Sequence, residues 1–196
     1  FIGPSYNNEQ IKKYINENKV LKNYKIKFFR DKKNLLREIA SCIYENEIIG
    51  FFNNKMEFGA RALGNRSILA NPCNPKIKEI INKKIKRREN FRPFAPAILY
   101  EKKKDWFYNS SHNPYMSSVE LIRKNKRKII PGVTHIDGTG RVETVTKEIN
   151  NSNELSLSLV EEFNNDRPKN LEIAAKIENY GQNILNNVTM ELKKYI

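Results

Sequence analysis

Apolar residues recur at helical spacing in two stretches of the chain. Over 35–44 they lie three and four positions apart, which predicts a helix with one buried face and Asp31 as its N-cap. A stripe of isoleucines over 77–85 predicts a second helix, which begins at the Asn-Pro pair of residues 74 and 75 and runs to about Arg88.

Short apolar runs between these stretches predict β-strands. The run 48–52 is apolar on both faces, as a central strand would be. Further strands are predicted over 25–29, 96–100, 116–122 and the segment after Gly132, and further helices over 7–18 and 101–108. Strands interleaved with helices indicate an α/β fold on the border of α+β, with a twisted mixed sheet and helices packed on it.

The pattern changes near residue 150. After a polar break, 154–164 suits a helix, and 169–195 suits a longer helix interrupted at Gly181. We therefore predict a main domain of residues 1–149 and a divergent, mostly helical tail of residues 150–196.

Composition narrows the class of protein. The 196 residues can form a real core, and no apolar run approaches the roughly 18 residues of a membrane span. Two cysteines and two histidines exclude a disulfide framework and a Cys-rich zinc module, and they fit a reducing cytoplasm. Because the chain begins with Phe1 and has no charged-then-apolar leader, our interpretation is a piece of a longer protein.

The positive charge is concentrated in one part of the chain. The net charge is +14, and residues 53–92 carry +8 of it. A Lys-rich composition on any solvated surface would raise the total, but it would not by itself produce this concentration. A local cluster of cations points to a small anion as readily as to a nucleic acid.

The first candidate cluster lies in MEFGARALGNRSIL, residues 56–69. Gly59 and Gly64 bracket a turn that could direct guanidinium, amide and hydroxyl groups at one anion, and Glu57 could orient an arginine there. The candidate ligands are Arg61, Asn65, Arg66 and Ser67. Arginine suits phosphate because its planar fork binds two oxygens at once. The alternative is that these arginines are ordinary surface cations.

The second cluster is KIKRRENFRPFAP, residues 84–96. Its cations are Lys86, Arg87, Arg88 and Arg92. Cations are favoured at a helix C-terminus in any case, which is the simpler explanation. The two prolines of FRPFAP form a stiff base beside the charges, which favours a preorganised ligand site, and we expect Phe91 and Phe94 to be core residues.

The third cluster is a turn that contains Thr134, His135, Asp137, Thr139 and Arg141. A His-x-Asp pair can contribute to a metal site or orient an acid–base histidine. A complete metal site is not expected, because His112 is the only other histidine, and the pair could simply bond to the turn backbone. The sequence also has no Walker A, GxGxxG or GxSxG motif, so a nucleotide would need another kind of site.

Taken together, three segments resemble a known family. MEFGARALGNRSILANP, INKKIKRRENFRPFAPAIL and IPGVTHIDGTGRVETV are similar, in this order, to the C-terminal domain of the O-carbamoyltransferases, which include the nodulation protein NodU and antibiotic carbamoyltransferases. The resemblance covers about Gly3 to Thr146 and implies a YrdC-like fold. It implies that the domain binds ATP, with Mg²⁺, and carbamoyl phosphate to form carbamoyl-adenylate.

The same resemblance implies partners. A preceding actin-like ATPase-type domain with a histidine-bound iron would transfer the carbamoyl group to a hydroxyl of a sugar or natural product. Neither a membrane nor a nucleic acid is an expected partner. The resemblance makes Lys86, Arg88 and His135 the expected catalytic residues. It places Arg61, Asn65, Arg66, Ser67, Arg92, Thr134, Asp137 and Arg141 in the substrate and nucleotide pocket.

Two departures from the family pattern leave alternatives open. The family's NTSFN-type segment, whose Ser-x-Asn helps to hold the nucleotide, is missing after Glu148, and Ala60 stands where the family usually has proline. The chain could therefore be a truncated or degenerate inactive fragment. A basic RNA-binding module of YrdC-like fold is the other alternative, and it predicts affinity that falls steeply with salt.

Overall fold

The structure, a computed structural model, describes residues 2–146 and the strand at 173–177. The helices in this part of the chain are α1 (Asn8–Glu17), α2 (Lys32–Tyr44), α3 (Ile77–Ile80) and α4 (Lys103–Trp106), with 3-10 turns at Lys19–Asn23 and Tyr100–Lys102 and a π-helical turn at Ile81–Lys86. The strands are β1 (Ile49–Phe52), β2 (Arg66–Ala70), β3 (Ala95–Leu99), β4 (Glu120–Leu121), β5 (Thr139–Gly140), β6 (Glu143–Val145) and β7 (Ile173–Ile177). No helix among these residues has the length and apolar character needed to cross a bilayer.

The strands form a mixed five-stranded sheet in the order β1-β2-β7-β3-β6, and β4 pairs with β5. Both β2 and β3 are antiparallel to β7, whose Lys176 pairs with Leu69 on one side and Ala95 on the other. Strand β6 is parallel to β3. Consequently β2, β3 and β6 run in the same direction and begin at the same edge of the sheet. The prediction of an α/β class with a mixed sheet is confirmed.

Local capping explains where the first two long helices begin. Asn7 and Gln10 form a capping box at the start of α1, each side chain bonding the other's backbone N–H. At α2 the Asp31 carboxylate accepts a hydrogen bond of 3.1 Å from the Lys33 N–H. Both helices and the Asp31 cap are as predicted.

The main core lies between the sheet and the helix that follows β2. Ile77 and Ile81, from the predicted isoleucine stripe, are buried against β2 and β3 side chains and against Trp106. A second cluster packs α2 against β1 and β2 through Leu36, Ala40, Ile43, Phe51 and Leu69. Burying one such aliphatic or aromatic side chain contributes about 1.5 to 3 kcal/mol, so these contacts hold the sheet and helices together.

Residues 25–29 do not form the strand that their composition predicted. Phe28 and Ile26 are exposed, and the neighbouring lysines interact locally instead. The Lys27 ammonium lies 2.7 Å from Glu38 of α2 and 4.8 Å from the centre of the Phe29 ring. The apolar residues of this segment therefore contact cations rather than a neighbouring strand.

Three other predicted elements differ in kind or extent. Strand β1 lies at the end of the sheet order, so the prediction of a central strand at 48–52 is wrong. Of 116–122, only Glu120–Leu121 is a strand. The helix predicted to reach Arg88 ends at Lys86, because Arg87 has left-handed backbone angles (φ 49°, ψ 51°).

The last described segment is a strand where a helix was predicted. Residues 173–177 fall inside the helix expected over 169–195, yet they pair with β2 on one side and β3 on the other. Hydrogen bonding along both edges outweighs the modest helix preference of such a short sequence. The helix predicted over 154–164 and the domain boundary near residue 149 lie outside the described residues, and both stay predictions.

A buried ion pair connects α4 to β4. Lys103 is fully buried, and its ammonium lies 2.7 Å from Glu120, which is 4% exposed. The ammonium also donates to the Ser111 carbonyl, and Glu120 accepts from Ser118 and Asn113. Because both charges are removed from water, each depends on the other and on these hydrogen bonds.

We expect Lys103→Met to lower the free energy of unfolding by about 3–5 kcal/mol, because it leaves the Glu120 carboxylate buried without its counter-ion. Urea denaturation of the purified chain measures this change. Lys104→Met is the control: this neighbouring lysine is exposed, and its replacement should cost less than about 0.5 kcal/mol. Equal losses for the two variants would contradict this account of the ion pair.

Candidate functional site

The three motif segments lead into the three strands that start at one edge of the sheet. The first precedes β2, the second precedes β3 and the third precedes β6. With strands about 4.8 Å apart, the starts of β2 and β3 are roughly 10 Å from each other, because only β7 lies between them. The segments that carry the three cation clusters therefore lead to the same edge of the sheet.

The carboxylate of Glu57 organises the loop before β2. Its Oε1 accepts hydrogen bonds from the backbone N–H groups of Leu63 (2.7 Å), Asn65 (2.7 Å) and Arg66 (3.1 Å). The expectation was that Glu57 would orient an arginine side chain. Instead, this buried carboxylate fixes the backbone that carries the first cluster.

Arg66 points into the protein. Its guanidinium donates to the carbonyl oxygens of Asn53 (2.5 Å), Asn54 (3.0 Å), Asn65 (3.0 Å) and Pro4 (3.1 Å). It also lies 3.5 Å from the centre of the Phe52 ring. Burial lowers the pKa of Arg66 from its usual value. This arginine is therefore bound to the protein's own backbone, a role that its motif did not indicate.

The neighbours of Arg66 are held in the same way. Asn65 is fully buried and its amide donates to the Lys55 carbonyl at 2.6 Å. Ser67 is also fully buried and accepts a hydrogen bond of 3.2 Å from the Gly64 N–H. Arg61, by contrast, is partly exposed. Of the four residues proposed in this loop, Arg61 is the one placed to reach a ligand at the surface.

The second cluster follows the π-helical turn. The Nε–H of Arg88 donates to the side chain of Asn82 at 2.7 Å, and the guanidinium lies 5.1 Å from the centre of the Phe94 ring. Arg92 pairs at 2.9 Å with Glu89, and both side chains are about half exposed. Lys86 ends the π-helical turn and is partly exposed.

The two phenylalanines of this segment differ. Phe94 is 5% exposed and belongs to the main core, as predicted. Phe91 is 77% exposed, so the expectation that it is a core residue is wrong. Phe94 directly precedes β3 and packs in the core, whereas Phe91 lies in the turn between the π-helical turn and that strand.

The third cluster is a turn closed by its own side chains. The Thr139 hydroxyl donates to the Asp137 carboxylate at 2.7 Å, and Asp137 also accepts from the Thr139 N–H. The Thr134 hydroxyl donates to the Ile130 carbonyl at 2.8 Å. Hydrogen bonding within the turn, which was the simpler of the two explanations, therefore accounts for Asp137 and Thr134.

The same network assigns the proton on His135. Its Nδ1 lies 3.0 Å from the Thr139 hydroxyl, whose only hydrogen goes to Asp137, so Nδ1 carries the ring proton. Nε2 is then an unprotonated acceptor, and it is buried without a hydrogen-bond partner among the described residues. Burial lowers the pKa of His135, and the nearby charges of Arg141 and Lys78 lower it further, against the opposite effect of Asp137.

Gly138 allows this turn to pack closely. Its φ is +80°, and a Cβ atom at this position would lie 2.4 Å from the guanidinium of Arg127. Arg127 in turn donates to the Ile122 carbonyl at 3.0 Å. This contact between Gly138 and Arg127 comes from the tertiary structure.

The described residues contain no group of three or more His, Cys, Asp or Glu side chains that could hold a metal ion. The exposed or partly exposed cations of the three segments are Arg61, Lys86, Arg88, Arg92 and Arg141, and the third segment also carries the imidazole of His135. Chemically, such an arrangement can bind oxyanions and accept a proton.

Comparison with known proteins supports the resemblance. The family model for the carbamoyltransferase C-terminus matches residues 40–193, which confirms the resemblance drawn from the motifs and extends it past Thr146. Uncharacterized protein MJ1051 of Methanocaldococcus jannaschii is 40% identical over 151 residues, or 76% of this chain. Nodulation protein NolNO of Sinorhizobium fredii is 43% identical over 57% of the chain, and nodulation protein U of Bradyrhizobium diazoefficiens is 38% identical over 64%.

These relatives are much longer proteins. The chain spans 29% of the length of MJ1051, 17% of NolNO and 22% of nodulation protein U. The similarity therefore concerns one domain of each relative.

We expect Arg66→Lys to lower the free energy of unfolding by about 2–3 kcal/mol, because one ammonium group cannot satisfy the four carbonyl oxygens that the guanidinium fork joins. Chemical denaturation measures the loss. Arg30→Lys, at an exposed position, is the control and should change stability by less than about 0.5 kcal/mol. A stable Arg66→Lys variant would show that this buried fork does not hold the loop.

We expect His135 to titrate below its ordinary value of 6.5 in the folded chain. The unfolded state then binds the proton more readily, so this histidine makes stability fall as the pH decreases below about 6.5. An NMR titration of the imidazole signals, assigned with His112→Asn, measures the midpoint. Urea unfolding of His135→Asn should show a weaker loss of stability between pH 7.5 and 5.5 than the parent chain. An NMR titration midpoint of His135 above 6.5 would contradict the expectation.

Proposed function

We propose a function on the premise that the chain belongs to the carbamoyltransferase C-terminus family, whose model matches more than half of its residues. The domain binds ATP and carbamoyl phosphate and joins the carbamoyl group to the α-phosphate as carbamoyl-adenylate. The observation that carries this proposal is that β2, β3 and β6 begin at the same edge of the sheet, so that the loops before them end there.

Electrostatics explain why such an edge is needed. ATP and carbamoyl phosphate are both polyanions, and they repel each other at the distance where a bond could form. Fixed cations that contact both offset this repulsion, and they do so without reorganising during the reaction. Lys86, Arg88 and Arg61 are the cations proposed to hold the phosphates, with Arg92, which precedes β3, and Arg141, which precedes β6, as further cations of the pocket. Arg66, Asn65 and Ser67 support the first loop rather than contact the ligands.

The reaction can be written with its atoms balanced. Water attacks the carbamoyl carbon of carbamoyl phosphate, inorganic phosphate leaves, and carbamate results. A carbamate oxygen then attacks the α-phosphorus of ATP, and pyrophosphate leaves. His135 is proposed to accept the proton of the attacking water at its unprotonated Nε2, while Asp137 and Thr139 hold the ring in the tautomer that allows it. Because Nε2 is buried in the structure, this step requires the turn to open toward the ligands.

Metals and the acceptor belong to the proposal as well. Mg²⁺ would be bound mainly by the ATP phosphates and would neutralise part of their charge. Transfer to an acceptor hydroxyl of a sugar or natural product is proposed to take place on a further domain, actin-like and iron-bearing, in the full-length protein. There the hydroxyl oxygen attacks the carbamoyl carbon and AMP leaves.

We expect the chain to release pyrophosphate from ATP only when carbamoyl phosphate is present. Lys86→Ala and Arg88→Ala should each lower the rate about tenfold or more, because each removes charge-assisted hydrogen bonds worth about 1.5–3 kcal/mol. Lys33→Ala, an exposed cation at the start of α2, removes the same charge and should leave the rate unchanged.

The alternatives give different results in this assay. Pyrophosphate release that does not depend on carbamoyl phosphate, or that both cluster variants leave intact, would overturn the proposal. Failure to bind ATP with a normal thermal unfolding transition would indicate a degenerate domain. An RNA-binding module, which the exposed Phe91 beside Arg92 would suit, would bind an RNA oligonucleotide with affinity that falls steeply with salt.

A further inference from the structure

Asn82 lies in the π-helical turn and its side chain is fully buried. It lies in the second motif segment but was not among the predicted site residues, since an asparagine in an isoleucine-striped helix has the pattern of a surface residue. π-Helical turns are rare and often mark functional sites, because the extra residue redirects the side chains around it. A buried amide at such a turn must satisfy two donor hydrogens and one acceptor oxygen within the protein.

The hydrogen bonds of Asn82 all go to the cationic segment. Its side-chain oxygen accepts from the Nε–H of Arg88 at 2.7 Å. Its amide donates to the carbonyl oxygens of Arg92 at 2.9 Å and Asn90 at 3.3 Å. Its backbone carbonyl accepts from the N–H groups of Arg87 and Arg88. One buried residue thus fixes both the backbone and a guanidinium of the second cluster.

Two contacts help to position Arg88. The hydrogen bond to Asn82 sets the position of Nε, and the Phe94 ring, 5.1 Å from the guanidinium carbon, limits the orientation of its plane. A free arginine side chain loses rotamer entropy when it binds a ligand. A guanidinium already held in place loses less of it, so it binds an oxyanion more tightly.

We propose that Asn82 is a positioning residue that preorganises Arg88 for the phosphate groups of ATP, an inference that rests on the proposed function. Because Asn82 is fully buried, a bound nucleotide cannot touch it. Its effect on affinity therefore passes through Arg88, and to a smaller extent through the backbone of Arg92. Most of the contribution of Asn82 is therefore lost when Arg88 is absent.

Asn71 is a matched control for the structural part of this role. It is 8% exposed, and its side chain likewise joins backbone and side-chain groups, accepting from the Cys73 N–H at 3.0 Å and donating to Asn46 at 3.2 Å. It follows the last residue of β2, at the edge of the sheet opposite to the cationic loops. Asn71→Ala should therefore destabilise the fold without changing ATP affinity.

The test is a double-mutant cycle on the full chain. The dissociation constant of ATP·Mg²⁺ is measured by calorimetry for the parent chain, Asn82→Ala, Arg88→Ala, the double variant and Asn71→Ala, at a temperature where thermal unfolding shows each to be folded. We expect Asn82→Ala to weaken binding about tenfold in the parent chain and no more than about twofold in the Arg88→Ala background. Asn82→Gln, which keeps the amide on a longer side chain, should recover part of the affinity if it folds.

The outcomes separate this inference from the proposed function. If the parent chain does not bind ATP, or Arg88→Ala binds it as well as the parent does, the proposed function fails. If Arg88→Ala weakens binding but Asn82→Ala weakens it equally in both backgrounds, or no more than Asn71→Ala does, the positioning role is overturned while the proposed function stands.

Discussion

The candidate site depends on one topological constraint, the common direction of β2, β3 and β6. Because β7 runs antiparallel to both β2 and β3, the segments before these strands are forced to the same edge. The parallel pairing of β6 with β3 adds the third segment. If β7 were absent, β2 and β3 would lose their shared partner, and the relation between the segments 56–69 and 84–96 would depend on the core packing of Ile77 and Ile81.

Within each loop, buried polar groups hold the backbone while partly exposed cations remain at the edge. Glu57 and Arg66 secure the first loop, Asn82 the second, and Asp137 with Thr139 the third. Each makes hydrogen bonds to backbone or neighbouring side chains, and these bonds restrain the loop that carries the cations. A site for two polyanions gains from this restraint, since fixed charges need no reorganisation when the ligands arrive.

Sequence patterns predicted the structure best where local chemistry decides it. The helical span of α1, the cap and apolar stripe of α2 and the core role of Phe94 were all predicted, because helix capping and apolar spacing act over a few residues. The predictions for 25–29 and 173–177 were wrong. In the first segment a lysine lies over each of the rings of Phe28 and Phe29, and in the second strand pairing on both sides decides the structure.

The sequence by itself determined the family and the residue types of the site, since three long motifs in a fixed order carry that information without any coordinates. Only the tertiary structure decided the role of each residue. Arg61 and Arg66 stand in the same motif, yet one is partly exposed and the other is bound to four carbonyl oxygens of the protein. The type of a residue limits what its side chain can bind. What the side chain does bind depends on its burial and on its nearest partners, and these come from distant parts of the chain.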